Sequence, residues 1–425
     1  MFQESPIVTR YVSLGLALGR HVEGLVDAYY GPLELADRAA AGPPLSPSTL
    51  VVEARRLLAD IEAGVDLDDP EGRWGASVGG ALDAASIELP SPAEDAPRRR
   101  WIAAQVTGLM TTASTLAGES IGYADEVESC YGVRPRRVPE DQFVAAHRLI
   151  DEALPGRGSL MERRAAWIEA HQVVPGMLRL AIASMCADLR ERTAELFGLP
   201  DGEQVDFELV DGKPWSGFNY YLGNLHSRVA INTDVPVLST SIAHLVAHEA
   251  YPGHHTEHTH KEVGLVRRRR LLEETIFLVG TPQCLLAEGL ADLGLEVVVS
   301  EHPEGWVADH LVPIGIRYDA EVVRRMSEAA EVLSGVRATA AFRLHEDRAD
   351  PETVTDELAR WSLIPRERAA QAVKFLIDPT WRAYITCYVE GLPLTRRFVG
   401  GDPARFARLL EEHLVPADLA AGSMS

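Results

Sequence analysis

The segment Ala247-His248-Glu249-Ala250-Tyr251-Pro252-Gly253-His254-His255 puts a carboxylate directly beside one imidazole, with two more imidazoles a turn and a half further on. Imidazole and carboxylate are favoured zinc ligands, and a catalytic zinc keeps one position open for water. A neighbouring carboxylate can then serve as general base toward that water. The segment is not a plain H-E-x-x-H helix, because Pro252 stands where that motif has its second histidine. On a regular helix, residues at i and i+4 share a face, whereas i and i+6 do not. Pro252 has no N–H and its ring clashes with the carbonyl of His248, while Gly253 tolerates unusual dihedrals. The pair is therefore expected to bulge or break the helix and to swing His254 back onto the face of His248. His255 remains open as an alternate ligand, near in phase but about 10 Å further along the axis.

Two rival pairs share the i, i+4 relation, His244 with His248 and His254 with His258. Neither has a glutamate placed as in H-E-x-x-H. An exposed, metal-free, histidine-rich helix is the plain alternative. The apolar lead-in Ile242, Leu245 and Val246, the adjacent Glu249 and the Pro-Gly break weigh against it. A further ligand has to come from elsewhere. The run Leu285-Leu286-Ala287-Glu288-Gly289-Leu290-Ala291-Asp292 places Glu288 and Asp292 on one helical face. Glu288 suits a metal ligand, and Asp292 suits the acceptor for the other N–H of a ligating histidine. Two solvated acids on an amphipathic helix would read the same way.

The whole chain sets the limits. Its 425 residues are 46% hydrophobic and 24% charged, a globular balance with room for a large core. Formal charge is −22, which repels a phosphate backbone and argues against nucleic acid as a partner. Cys130, Cys186, Cys284 and Cys387 form no C-x-x-C pair and read as thiols in a reducing compartment. No run approaches the roughly 20 apolar residues of a membrane span, and no secretory leader pattern opens the chain. A cytoplasmic, non-membrane protein is the expectation, with its oligomeric state open.

Most of the sequence has helical period, with helices expected at 7–28, 94–117, 139–153, 158–171 and 175–197. Ser46-Pro47 supplies an N-cap and first residue for another, ending near Ala63-Gly64. Residues 66–92 are rich in Asp, Gly, Pro and Ser and read as a loop or weak helix. After Pro200-Asp201-Gly202 the pattern turns to short strands, Phe207–Val210 and Phe218–Asn232. Helical period returns near Ser239, with helices expected at 283–300, 318–346, 365–376, 380–398 and 402–414. The fold class is mostly α, with a small antiparallel sheet beside the metal helix. An N-terminal helical region, 1–200, and a metal-site region, 201–425, are expected to form one continuous unit.

The words His248-Glu249-x-x-Pro252-Gly253-His254 and Glu288-Gly289-x-Ala291 resemble those of the bacterial family known as domain of unknown function 885. More distantly, they are similar to the helical zinc metallopeptidases, including the thermostable carboxypeptidase and oligopeptidase families. Phe218–Tyr221 with Arg228–Asn232 looks like the family's strand before the metal helix, and Tyr384 with Tyr388-Val389-Glu390-Gly391 like its C-terminal tyrosine helix. Two departures stand out: Leu290 replaces the usual tryptophan, and Ala341–Asp347 replaces the family's Arg/Asp/Gly/His words. The resemblance implies a zincin-like helical fold with a deep cleft, zinc on His248, His254 and Glu288, and Glu249 as base. Tyr388, or Tyr384 one turn earlier, is then the expected donor to a developing oxyanion, and a free edge on Arg228–Asn232 could pair with an extended peptide.

The expected function is a zinc-dependent hydrolase acting on peptides or small amides. A metal-binding, peptidase-like protein without catalysis is the alternative. A serine hydrolase is a third reading, because Gly118-Glu119-Ser120-Ile121-Gly122 matches the G-x-S-x-G elbow. That elbow needs a buried strand before Ser120, and the preceding segment has helical length. Neither a P-loop nor a dinucleotide-binding glycine pattern is present.

Overall fold

The structure, a computed structural model, describes residues 6–68, 92–213, 215–234, 236–379 and 381–422. The loop expected at 66–92 falls largely outside them. Helix α1 (Ile7–Leu18) is shorter than its apolar spacing predicts. The chain turns through Gly24, at φ +81°, into strand β1 (Val26–Tyr29), which pairs antiparallel with the distant segment Ile276–Leu278. That long-range pairing overrides the local helical period. Helix α2 (Leu33–Ala40) precedes α3 (Pro47–Glu62), where Ser46 Oγ accepts the Thr49 N–H at 3.2 Å and Pro47 opens the first turn as expected.

Five further helices complete the N-terminal half: α4 (Pro92–Leu116), α5 (Tyr123–Tyr131), α6 (Glu140–Ala153), α7 (Leu160–Ala170) and α8 (Pro175–Phe197). The Ser120 turn lies between α4 and α5 and is exposed, so no strand leads into it.

A three-stranded sheet comes next, from β2 (Gln204–Val210), β3 (Gly217–Tyr221) and β4 (His226–Asn232), in the order β2-β4-β3. The β3–β4 pair is antiparallel as expected, and β2 joins β4 in parallel, Gln204 opposite His226. Strand β4 is therefore enclosed on both sides. The expected free edge on Arg228–Asn232 does not exist, because β2 and β3 occupy both rows of backbone hydrogen-bonding groups. Val229 and Ile231 pack inward with Leu178, Ile182 and Met185 of α8.

Helix α9 (Ile242–Glu249) buries Ile242 and Val246 in that same cluster. Helix α10 (His254–Lys261) runs into a π-helical segment, Glu262–Arg268, and a short 3-10 turn leads to β5 (Ile276–Leu278), the partner of β1. The remainder is helical: α11 (Pro282–Val298), α12 (Glu304–Leu311), α13 (Ala320–His345), α14 (Pro351–Ser362), α15 (Arg366–Ile377), α16 (Ile385–Val399), α17 (Pro403–Glu411) and α18 (Pro416–Gly422). One apolar cluster joins Ile7 and Trp101 to Leu278 and Val415, so both halves of the chain share a core. Among the described residues, no helix is long and apolar enough to cross a membrane. Cys130, Cys284 and Cys387 are buried free thiols.

Helices α11 and α16 touch backbone to backbone. A Cβ on Gly289 would lie 2.5 Å from the Gly391 carbonyl oxygen and 2.8 Å from Thr395 Cγ2. Thr395 Oγ1 donates to the Gly289 carbonyl at 2.8 Å across this contact. The two glycines thus set how close Glu288 comes to Tyr384. Gly289→Ala is expected to lower unfolding stability by about 1–3 kcal/mol through overpacking. An unchanged denaturant midpoint would show that this contact does not fix the helix spacing.

Candidate metal centre

The helix carrying His248 stops at Glu249, and a new one starts at His254. Pro252 cannot continue α9, and Gly253 lets the chain double back sharply. A Cβ on Gly253 would fall 1.9 Å from the His248 carbonyl oxygen and 2.5 Å from that of Ala247. No side chain fits so tight a return. The Gly253 N–H reaches back to the Ala247 carbonyl at 2.9 Å, and the Thr256 N–H to Ala250 at 3.3 Å. The Pro252 ring seats against Gly294 of α11, where a Cβ would lie 2.9 Å from its Cγ and Cδ. The break is thereby held against the helix that carries Glu288 and Asp292.

As expected from the sequence, His254 returns to the side of His248. Their rings stand 4.7 Å apart, edge to face. His248 Nε2 lies 3.4 Å from Glu288 Oε2, and His254 Nε2 lies 3.9 Å from Glu288 Oε1. The three side chains can offer ligand atoms all within 4.8 Å of one another. Ligands about 2.05 Å from a tetrahedral zinc are about 3.4 Å apart, so this spacing fits such an ion. Glu288 Oε2 is buried and accepts no hydrogen bond, an orphaned acceptor that a cation would satisfy.

The surrounding contacts orient these groups. His248 Nδ1 lies 2.9 Å from Asp292 Oδ1, which leaves Nε2 facing Glu288. Tyr384 Oη donates to Glu288 Oε1 at 2.8 Å, and Tyr388 Oη reaches Tyr384 Oη at 3.4 Å. Tyr384 is thus engaged with the carboxylate, and Tyr388, 43% exposed, is the tyrosine nearer solvent. His244 Nε2 sits 3.2 Å from Asp292, forming a second, more exposed group with His248 and Asp292.

His255 points elsewhere. It is fully buried, with Nδ1 2.8 Å from Ser227 Oγ and Nε2 2.8 Å from Glu203 Oε2. Both nitrogens are occupied, so it does not join His248 and Glu288. Glu203 also accepts from Tyr251 Oη at 2.5 Å. One carboxylate therefore grips residues on both sides of the Pro-Gly break. Glu203 lies in the turn before β2, and nothing in its local sequence marks it.

Charge is unevenly shared. Burial opposes the charged form of His248, yet Asp292 and Glu288 outweigh it and hold the imidazole well above the ordinary histidine range. Burial and the neighbouring His248 push His254 down. Burial works against Glu288 and Asp292 too, but the histidines keep both low. Burial pushes Glu249 up to about 7, with Glu288 and Asp292 adding to it against His248 and His244. Among the described residues the Glu249 carboxylate has no hydrogen-bond partner in the protein, and Gly217 opens space beside it. Its backbone carbonyl is held by Asn219 Nδ2 at 2.6 Å.

Asp27 also belongs here, although no sequence motif marks it. It stands at the irregularity in the β1–β5 register, between Val26 and Ala28. Burial, then Glu288 and Glu249, push it up to about 7, which places a fourth acid at this centre. Its one signal in the sequence is a lone acid flanked by apolar residues. His345 caps the Leu376 carbonyl at 2.6 Å and stacks on Tyr123, a structural role.

No protein-family model matches the chain, and no curated protein matches it. Among solved structures it is similar to a protein described as a candidate lipoprotein from Colwellia psychrerythraea, with 14% identity and a TM-score of 0.52 over 94% of this chain and 80% of that one. A candidate lipoprotein of unknown function from Shewanella oneidensis aligns at 14% identity and a TM-score of 0.47, over 99% of this chain and 83% of that one. The first of these shows a shared, mostly helical fold.

Two outcomes test the geometry. Asp292→Asn is expected to weaken zinc binding about 10–100-fold, measured by competition with a chromophoric chelator. Undiminished affinity would detach Asp292 from the site. Glu203 is held down at about 2 against an ordinary 4.5: burial opposes its charge, but bonds from His255 and Tyr251 prevail. Below pH 4.5 the unfolded chain takes up a proton that the folded chain refuses, so this stabilisation is lost as pH falls toward 2. The stability gap between wild type and Glu203→Gln is expected to be full above pH 4.5 and to shrink below it in denaturant titrations.

Proposed function

We propose that this protein is a zinc-dependent hydrolase, a metallopeptidase with a zincin-like helical fold whose site lines a cleft. The observation that carries the reading is the convergence of His248, His254 and Glu288, with a buried Glu288 oxygen that accepts no hydrogen bond. The likeness of these words to domain of unknown function 885 and to helical zinc peptidases supports it. Zinc, when bound, lowers the pKa of a water in its open position and polarises a carbonyl.

The chain's own residues supply the rest. Glu249 accepts the proton of the attacking water, whose oxygen bonds to the carbonyl carbon. The C–N bond breaks, and Glu249 passes that proton to the leaving amine and is regenerated. Burial raises the proton affinity of Glu249, the direction that general-base work needs. His248 stays fixed through Asp292, and Glu288 through Tyr384. Tyr388, whose hydroxyl donates only a long 3.4 Å bond to Tyr384, is the one to turn toward the oxyanion.

Purified protein is expected to contain about one zinc per chain and to lose peptide hydrolysis on chelation. Glu249→Gln is expected to lower kcat at least 100-fold while zinc content is unchanged. Normal turnover by that variant would remove Glu249 from the mechanism, and a zinc-bearing wild type inert toward a peptide library would leave a non-catalytic metal protein.

A further inference from the structure

A cavity of about 460 Å³ opens between α6, α7, α13 and α16, within the size range of small-ligand sites. None of His248, Glu249, His254, Glu288 and Asp292 lines it, so it is a chamber apart from the metal centre.

Its walls are mostly aliphatic. Ile150, Ile168, Met326, Leu333 and Ile385 line it together with Trp167. Met326 is unbranched and adapts to a flexible occupant. The charged members of the lining are Arg164 and Arg337, and among the described residues no carboxylate joins them. That is a local reversal in a chain with 63 acidic and 41 basic residues.

The two guanidinium groups lack counter-charge for different reasons. Arg164 is half-buried, and its Nη1 donates to the Leu363 carbonyl at 3.0 Å, which orients the fork without neutralising it. Burial pushes Arg164 below the ordinary arginine value, and no neighbouring acid offsets that. An anion there would supply the missing charge. Arg337 is exposed on α13 and has no ion-pair or hydrogen-bond partner among the described residues. A planar fork beside an apolar chamber matches a carboxylate that carries a hydrocarbon tail.

We infer that this cavity is a binding site for a medium-chain aliphatic carboxylate, its head on Arg164 and Arg337 and its chain against the aliphatic walls. Such a ligand is neither a peptide nor a substrate of the metal centre, and its binding does not depend on zinc.

Calorimetric titration of the full-length protein with decanoate, below its micelle concentration and after dialysis against EDTA, tests this directly. One decanoate per chain is expected, bound at least tenfold more tightly than decanol. Affinity is expected to fall about threefold for each methylene removed toward hexanoate. Arg337→Gln is expected to cost about tenfold for decanoate and nothing for decanol, with Arg337→Lys recovering part of the loss. Ala330 lines the cavity at an exposed position of α13, so Ala330→Trp is expected to block both ligands by filling the chamber. Equal affinity for decanoate and decanol overturns the inference, as does an unaltered Arg337→Gln. Acetate binding as tightly as decanoate would reduce the site to an ion on exposed arginines. Decanoate binding that appears only in the zinc-loaded protein would place the carboxylate on the metal instead, and would also overturn it.

Discussion

The centre depends on one steric fact: at residue 253 the chain turns back so closely that a Cβ there would lie 1.9 Å from the His248 carbonyl oxygen. Only glycine allows this. Pro252 ends the first helix, Gly253 lets the next begin almost in contact with it, and Gly294 receives the proline ring. An unbroken helix would carry His248 and His254 on different faces. The break also needs support from outside, because a short non-helical link has little to hold it. Glu203 gives that support, gripping Tyr251 before the break and His255 after it.

The electrostatics stem from this crowding. Four carboxylates, Asp27, Glu249, Glu288 and Asp292, share a largely buried space with three imidazoles. The two in contact with His248 stay ionised, and the two without such a partner are pushed up to about 7. Burial pushes those two up first, and repulsion among like charges in a poorly screened interior adds to it. A divalent cation would relieve that repulsion.

Much of this was legible in the sequence because local rules decided it. Ser46-Pro47 starts a helix where it should, the helices at 139–153 and 175–197 match their apolar period, and Pro252-Gly253 separates two helices. Spacing alone put Glu288 and Asp292 on one helical face, and only the resemblance to the 885 family tied Glu288 to the histidines. Tertiary pairing hid the rest. Residues 19–28 carry helical spacing yet form a turn and strand because β5 claims them. Strand β2 joins in parallel through a partner more than twenty residues away, which no turn signal encodes. Asp27 and Glu203 belong to the centre and its support only through contacts with distant segments, so neither carries a motif.

The β1–β5 ribbon has a consequence for the order of assembly. It ties residue 26 to residue 278, and it sets an acid from the beginning of the chain beside a centre built near residue 250. During synthesis, the first strand has no partner until nearly two-thirds of the polypeptide has emerged. The opening helices can form early, but they cannot be sealed against the sheet ribbon before then. Completion of the acidic centre is thus a late event, coupled to closure of the longest loop that strand pairing makes among the described residues.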